Sequence, residues 1–419
     1  MGFASTYLEE KAIFSEFIKE APRNDTSLIV VVPAYDEPEI LNLIDSLSEC
    51  DRPDCGTEVI VVINAPPDAG NSGIESNRIT KANIENWKTM HSSFFSLFTI
   101  DINPSEIKEW GVGLARKTGM DEAVRRFNLI ERPDGVILNL DADCRVEKNY
   151  FTEIFRKLFK ERDKSGCSIY FEHPLSGNDF SDMVYRSAIL YELHLRYYFQ
   201  ALAFTGFPYV HHTVGSAIAV KALPYVRAGG MNRRKAGEDF YFIQKLVPAG
   251  GYFNLNTTTV FPSPRCSWRV PFGTGATITR LVETGSSLLL TYNIKAFRDL
   301  RTFFNRVDEF FGCPLSELKE IFCTFPASVS QFLKADEWVV KITEIRGNTR
   351  GLNSFRKRFF GWFNMFRIVK FLNHTHEFHY MKKPVTESAS DLLCEGGIGL
   401  ACNEVVDLLL FYRELEKRP

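Results

Sequence analysis

GVILNLDADCRVEKNYF, residues 135–151, ends a hydrophobic run in two aspartates one residue apart. Val136, Ile137, Leu138 and Leu140, interrupted only by Asn139, read as a buried strand, which predicts Asp141 and Asp143 at its C-terminal mouth. Ligands of open α/β sheets bind at that edge. Two carboxylates on one turn can hold a hard divalent cation through oxygen, and such a cation can bridge and neutralise a diphosphate. The same tripeptide can instead be a solvated loop or a helix cap ahead of CRVEKNY. The strand in front of it favours the ligand reading.

Working outward, strands and helices alternate. LIVVVPAY (28–35) precedes helical EPEILNLIDSLSEC (37–50); EVIVVINAPPD (58–68) and FFSLFTID (94–101) read as further strands; amphipathic NYFTEIFRKLFKERDK (149–164) follows the D-x-D. Apolar strands separated by amphipathic helices imply a doubly wound, mostly parallel sheet with right-handed crossovers. The polar stretch 69–108 reads as a surface excursion ahead of and around the third strand. From residue 271 the chain turns to helices rich in Phe, Leu and Arg, among them LRTFFNRVDEFFG, PLSELKEIFCTF and VVDLLLFYRELEKR. The expected organisation is an N-terminal amphipathic helix over 1–26, a nucleotide-binding and catalytic α/β domain over 27–270, and a mainly helical region over 271–419.

Composition narrows the function classes. Lysine and arginine number 50 against 52 acids in 419 residues, a formal charge of -2, so no global field suited to nucleic acid exists and any anion site is local. Nine cysteines without a CxxC pair argue against a disulfide framework and a structural zinc site, and fit a reducing cytoplasm. The N-terminus lacks the basic start and apolar core of a secretion signal. No apolar run reaches the roughly 18 residues of a membrane span, so the expectation is a soluble or membrane-peripheral protein.

Other segments deliver polar residues to the same sheet edge. VVPAYDEPEIL places Pro33, Ala34, Tyr35, Asp36 and Glu37 where a strand turns into a helix; the acid pair either caps that helix or accepts hydrogen bonds from a ribose or base. EVIVVINAPPD brings Asn64 there, a residue that alone reads as an ordinary turn. GVGLARKTGMDEAV is a glycine-containing loop opening a helix, neither a P-loop nor GxGxxG, with Arg116 and Lys117 placed to meet a diphosphate or to form a solvated basic face. In TVGSAIAVKALPYVRAGGMNRRKAGEDFYFIQKL a short strand, a helix and a GG turn lead to Glu238 and Asp239 at a helix start, as caps or, in a cleft, as a general base.

Taken in order, VVPAYDEPEIL, VIVVINAPPD, GLARKTGMDEA, LNLDADCRVEKNYF, GSAIAV and AGEDFYF resemble the nucleotide-sugar-dependent glycosyltransferases of family 2, over about residues 27–250. The resemblance implies the GT-A fold with a helical C-terminal subdomain. It implies transfer of a sugar from a UDP- or GDP-linked donor to an acceptor hydroxyl, by inverting displacement and with Mn²⁺ or Mg²⁺. The acceptor class stays open between a glycan, a lipid-linked molecule and a small molecule. By the same resemblance Pro33, Tyr35, Glu37 and Asn64 line the nucleotide pocket, Asp141 contacts the ribose or the metal, Asp143 binds the metal, and Asp239 is the catalytic base. Glu238 is then left for acceptor binding or capping, and Arg116 for the leaving diphosphate. The family usually has aspartate where Asn64 stands, which leaves base preference open. Its Q-x-x-R-W element is absent, although SPRCSWRVPFGTG follows at a plausible distance, and that argues against a processive polysaccharide synthase. Two rivals are a sugar-phosphate nucleotidyltransferase, whose glycine-rich basic loop is missing from the first strand, and a non-catalytic nucleotide-sugar-binding protein.

Four further features have two readings each. SFRKRFFGWFNMFRIVKFL (354–372) is either a surface for peripheral contact with an anionic membrane or a core-facing helix with snorkelling cations, the second being favoured. His374, His376 and His379 lie in a surface loop or complete a metal shell, and His211 and His212 contact a sugar hydroxyl or sit satisfied in the core. PFGTGATI is a mobile loop closing over the diphosphate with Gly273 and Gly275 as hinges, or a tight connection into the C-terminal helices.

Overall fold

Strands β1 (Thr26–Ala34) and β2 (Gly56–Ile63) are buried at every position, the pattern of central strands covered on both faces. The computed structural model describes residues 2–67, 69–102, 110–398 and 404–417; part of the 69–108 excursion therefore lies outside the described residues. Two units form: Met1–Pro174 with Thr213–Ala276, and Leu175–His212 with Thr277–Pro419.

In the first unit, α1 (Ser5–Lys11) precedes β1, and α2 (Ile40–Ser48) and α3 (Asn71–Met90) follow β1 and β2. Then come β3 (Phe95–Asp101), α4 (Val112–Leu129), β4 (Val136–Asn139), β5 (Arg145–Val146), α5 (Tyr150–Ile154) and β6 (Gly166–Phe171). After α6 (Asp182–Phe204), which belongs to the second unit, β7 (Ile218–Lys221), α7 (Ala222–Arg227), α8 (Glu238–Leu246) and β8 (Tyr252–Phe261) complete the first. The eight strands are ordered β3-β2-β1-β4-β7-β6-β8-β5. β3, β2, β1 and β4 run parallel, while β7 and β5 are antiparallel to their neighbours. This is the mixed, largely parallel GT-A-like sheet expected, and β4 pairs Val136–Asn139 against Leu28–Val31 of β1. Chain order reverses between β1 and β4, so the crevice outside their carboxyl ends is the switch point at which such sheets bind ligands.

Helix α4 covers one face. Ala115, Met120, Ala123, Val124 and Phe127 pack on Ile29, Val31, Ile60, Val62 and Ile137. Gly119 lets it sit close, since a Cβ there would meet Val31 Cγ1 at 2.4 Å. The helix also buries Lys117, Asp121, Glu122 and Arg126, because the N-terminal segment lies over it. Tyr7 donates to Asp121 at 2.8 Å, and the Glu122 carboxylate accepts from the backbone N–H groups of Phe17 and Ile18. Those N–H groups find their acceptor on α4, which is why the helical periodicity over residues 1–26 yields helix only at Ser5–Lys11.

The second unit is helical. With α6 it contains α9 (Thr274–Glu283, which starts at the end of the first unit) and a two-residue ladder between Leu290–Thr291 and Lys383–Pro384. Its core is aromatic: Phe303, Phe310, Trp338, Phe359 and Phe363 are fully buried. The basic aromatic run therefore faces inward, with Phe355 and Phe360 also buried and Arg356 turned out to Asp308. Helices α6 and Val405–Lys417 are joined by buried ion pairs, Arg196 with Glu192 and Glu416, and Arg413 with Glu192. His212, partly exposed, stacks on Phe199 and bonds Glu416 at 3.0 Å. His376 accepts the Asn293 N–H, and among the described residues no three His, Cys, Asp or Glu side chains gather as a cation-binding group. No described helix is long and apolar enough to cross a membrane.

Candidate functional site

Tyr35–Glu37, Asn64 and Asp141–Asp143 lie together at the carboxyl ends of β1, β2 and β4, with Glu37 and Asn64 buried and the Asn64 Nδ2 donating to the Gly111 carbonyl at 3.4 Å. Asp36 adopts a left-handed backbone, φ 53°, a strained state for a non-glycine residue that its surroundings must hold. Asn77 of α3 supplies part of that hold. Its Oδ1 accepts from the Asp36 N–H and its Nδ2 donates to the Asn64 carbonyl, both at 2.9 Å, so one side chain joins two strand ends. Tyr35 packs edge-on against Trp110, ring centroids 5.3 Å apart. Pro33 lies within β1, paired with Val62 and buried, so it shapes the strand end from inside rather than presenting a side chain at the mouth.

Arg116, in the second turn of α4, sits at the centre of the β4 side. It donates to Asp141 Oδ1 at 2.5 Å and to Glu238 Oε1, and it is 4% exposed. Its close approach needs a residue without a side chain at Gly215, just before β7, where a Cβ would lie 2.4 Å from Nη1. Burial alone would lower its pKa, but the carboxylates of Asp141, Glu238 and Asp239 raise it above the ordinary guanidinium range. A solvated basic face is thus replaced by a buried hub. Lys117 points away to Asp121 and Tyr7, since adjacent helical residues face in different directions.

The two acids of α8 separate cleanly. Glu238 is 2% exposed and committed to Arg116. Asp239 is partly exposed and accepts the Phe240 N–H at 2.6 Å. Burial and the neighbouring Glu238 charge push its carboxyl up to about 7, against the pull of Arg116. A carboxylate titrating there is matched to proton abstraction near neutrality.

Two residues that sequence reading passed over complete the crevice. Arg265 donates to Glu37 Oε1 at 2.6 Å and pairs with Asp143 Oδ2 at 2.6 Å through Nε; Arg269 pairs with Glu37 and donates to the Asp36 carbonyl at 2.8 Å. Both lie in the coil between β8 and α9, in the SPRCSWR stretch, where two arginines four apart after the last long strand were the available signal. Glu37 is therefore neither a cap nor solvated: it is buried and held by two guanidinium groups. Burial, with the charges of Glu37 and Asp141, pushes Asp143 up to about 6 despite the opposing pull of Arg265. Asp141 and Asp143 offer two hard oxygen donors on one turn, a set that fits Mg²⁺ or Mn²⁺ bound through one or two carboxylates, with water and diphosphate oxygens filling the other positions.

No family model and no curated protein matches the sequence. Among solved structures, the chain is similar to residues 1–349 of S. aureus TarS in complex with UDP-GlcNAc, at 15% identity and a TM-score of 0.40, covering 79% of this chain and 89% of that one. It is similar to the mannosyltransferase PcManGT from Pyrobaculum calidifontis in complex with GDP-Man and Mn²⁺, at 12% identity and a TM-score of 0.38, covering 99% and 92%. Glucosyl-3-phosphoglycerate synthase from Mycobacterium tuberculosis, in complex with Mn²⁺, UDP-Glc and phosphoglyceric acid, matches at 14% identity and a TM-score of 0.34, covering 56% and 71%. At these scores no residue role passes from those proteins to this chain.

Proposed function

We propose that the protein is a GT-A-type glycosyltransferase that moves a sugar from a UDP- or GDP-linked donor to an acceptor hydroxyl. The observation that carries the reading is the switch-point crevice: Glu37, Asn64, Asp141 and Asp143 at three strand mouths, joined through Arg116 to the acid pair that opens α8.

In this reading Tyr35, Glu37 and Asn64 form the wall for base and ribose, shaped from behind by Pro33. Asp141 and Asp143 hold the divalent cation, which when bound supplies charge to stabilise the leaving diphosphate. Arg116 works from behind, fixing Asp141 and Glu238 rather than touching the donor. Asp239 takes the proton of the acceptor hydroxyl as that oxygen attacks the anomeric carbon, the C–O bond to the diphosphate breaks with its electron pair, and the configuration inverts. Glu238, tied to Arg116, keeps the α8 start in place. The acceptor is a glycan, a lipid-linked molecule or a small molecule.

Titration calorimetry with UDP and GDP, each with and without Mn²⁺, followed by a donor-hydrolysis panel of nucleotide sugars, tests the proposal. The expected result is cation-dependent binding of one nucleotide and slow hydrolysis of a matching sugar donor. Binding of neither nucleotide refutes it; binding without hydrolysis or transfer reduces it to a nucleotide-sugar-binding protein.

A further inference from the structure

We propose that Arg265 and Arg269 are exchange ligands: without donor they neutralise Asp143 and Glu37, and on donor binding they move to the diphosphate, releasing Asp143 to the divalent cation. Cation and nucleotide then bind as a coupled pair, and the cation alone binds poorly. The inference rests on the donor-site reading above.

The geometry supplies both halves of the exchange. The Arg265 Nε bond to Asp143 Oδ2 at 2.6 Å sets a positive charge directly on the carboxylate that a cation would use, and a divalent ion approaching that carboxylate is repelled until the guanidinium leaves. Glu37 is taken by both arginines at once. The planar guanidinium fork that fits a carboxylate fits a phosphate equally well, so either arginine can trade one oxyanion for another without losing its hydrogen bonds.

The two arginines are more open to solvent than Glu37 and lie on coil. Glu37 lies in the turn that follows β1 and Asp143 in the turn that follows β4, with side chains 7% and 23% exposed. The arginine side chains are 26% and 30% exposed and lie on coil without regular structure. That coil ends at Gly273, where φ is 107° and the space around the Cα is open. Trp268 and Phe272, on the same coil, are 72% and 57% exposed. Two large apolar side chains flanking the arginines would cover a ligand as the guanidinium groups turn onto it.

The test separates the two carboxylates. Binding of Mn²⁺ alone is followed by the electron paramagnetic resonance of the free ion, and binding of UDP or GDP at saturating Mn²⁺ by calorimetry, for the parent, Arg265→Gln and Arg269→Gln. Arg265→Gln is expected to bind Mn²⁺ alone more tightly, by a factor within the roughly 5–150-fold usual for coupled sites, while its nucleotide affinity falls. Arg269→Gln, which leaves the Arg265–Asp143 contact intact and removes only a more distant positive charge, is expected to lose nucleotide affinity with a smaller gain in Mn²⁺ affinity than Arg265→Gln. Arg265→Lys, too short to reach Glu37 and Asp143 together, is expected to shift both affinities in the Arg265→Gln directions by less, and serves if the glutamine variant does not fold. Mn²⁺ affinity that is unchanged, undetectable in all proteins or weaker in the Arg265 variants overturns the exchange. If neither nucleotide binds the parent, the donor-site reading fails and the exchange with it; if one binds and the two affinities move together, the exchange alone fails.

Discussion

Asp239 gives the sharpest prediction, because its carboxyl titrates at about 7 for reasons visible in the structure: burial first, then the adjacent Glu238 charge, offset by Arg116. The working form of a general base is the carboxylate, so activity is lost as pH falls through that value. At pH 6 roughly one-tenth of the protein carries the carboxylate and at pH 8 roughly nine-tenths, a rise of about tenfold in kcat/KM across the interval. An aspartate at its ordinary pKa would give a flat profile there. Asp239→Asn should lower transfer by about 10²–10⁴-fold and remove the inflection while leaving nucleotide binding intact. Glu238→Gln removes the neighbouring negative charge, so the inflection should move to lower pH. The assay is release of nucleoside diphosphate from the donor that the binding screen selects, with carbon-13 NMR of the carboxyl groups in parent and Asp239→Asn as an activity-independent reading of the same titration. A kcat/KM flat between pH 6 and 8, or an Asp239→Asn variant within about tenfold of the parent, refutes the assignment.

Asp143→Asn should abolish cation-dependent UDP or GDP binding without changing the circular dichroism spectrum, since it removes a charged oxygen ligand from a partly exposed turn outside the strands; parent-like binding would remove Asp143 from the cation site. Arg116→Met strands Glu238, which is 2% exposed, without its partner; a loss of about 3–5 kcal/mol in urea unfolding is expected, with partial recovery in the Arg116→Met, Glu238→Gln double variant. Asn77→Ala should raise KM for the donor with kcat little changed, because it frees the Asp36 turn and the Asn64 strand end but touches no reacting group; an unchanged KM would show that the two ends hold themselves.

The central sheet was legible because its information is local. Continuous apolar runs such as LIVVVPA have few alternatives to a strand buried on both faces, and a glycine ahead of VGLARKTGMDEAV marks where a helix can start; β1, β4 and α4 fall where those patterns put them. The strand-mouth acids followed from the same logic, since the end of a buried strand fixes where the next polar residue goes. Partnership is a different kind of information. Nothing in the spacing of Arg116 says that it is buried against a carboxylate 122 positions away, or that Lys117 next to it serves Asp121 instead. A helical face is chosen by what packs on it, and α4 is covered by an N-terminal segment whose own helical pattern gives way to backbone donors aimed at Glu122.

The same limit explains why Arg265 and Arg269 went unread while Glu37 and Asp143 were found. An acid at a strand mouth is positioned by the strand, whereas an arginine on coil is positioned only by the charge it meets, 228 residues away for Arg265 and Glu37. Electrostatics runs ahead of sequence pattern here in a definite way: once three strands deliver Glu37, Asp141 and Asp143 to one crevice, their mutual repulsion in a poorly solvated place requires cations from somewhere. The chain meets that requirement with Arg116 on the protein side and Arg265 and Arg269 on the solvent side. Releasing the buried hub strands Glu238 with nothing to replace Arg116, whereas releasing the outer pair leaves the buried Glu37 facing the crevice, where the bound donor supplies hydrogen-bond donors in their place, so ligand-driven change at this site should be confined to the coil after β8, with the strand ends and Arg116 standing still.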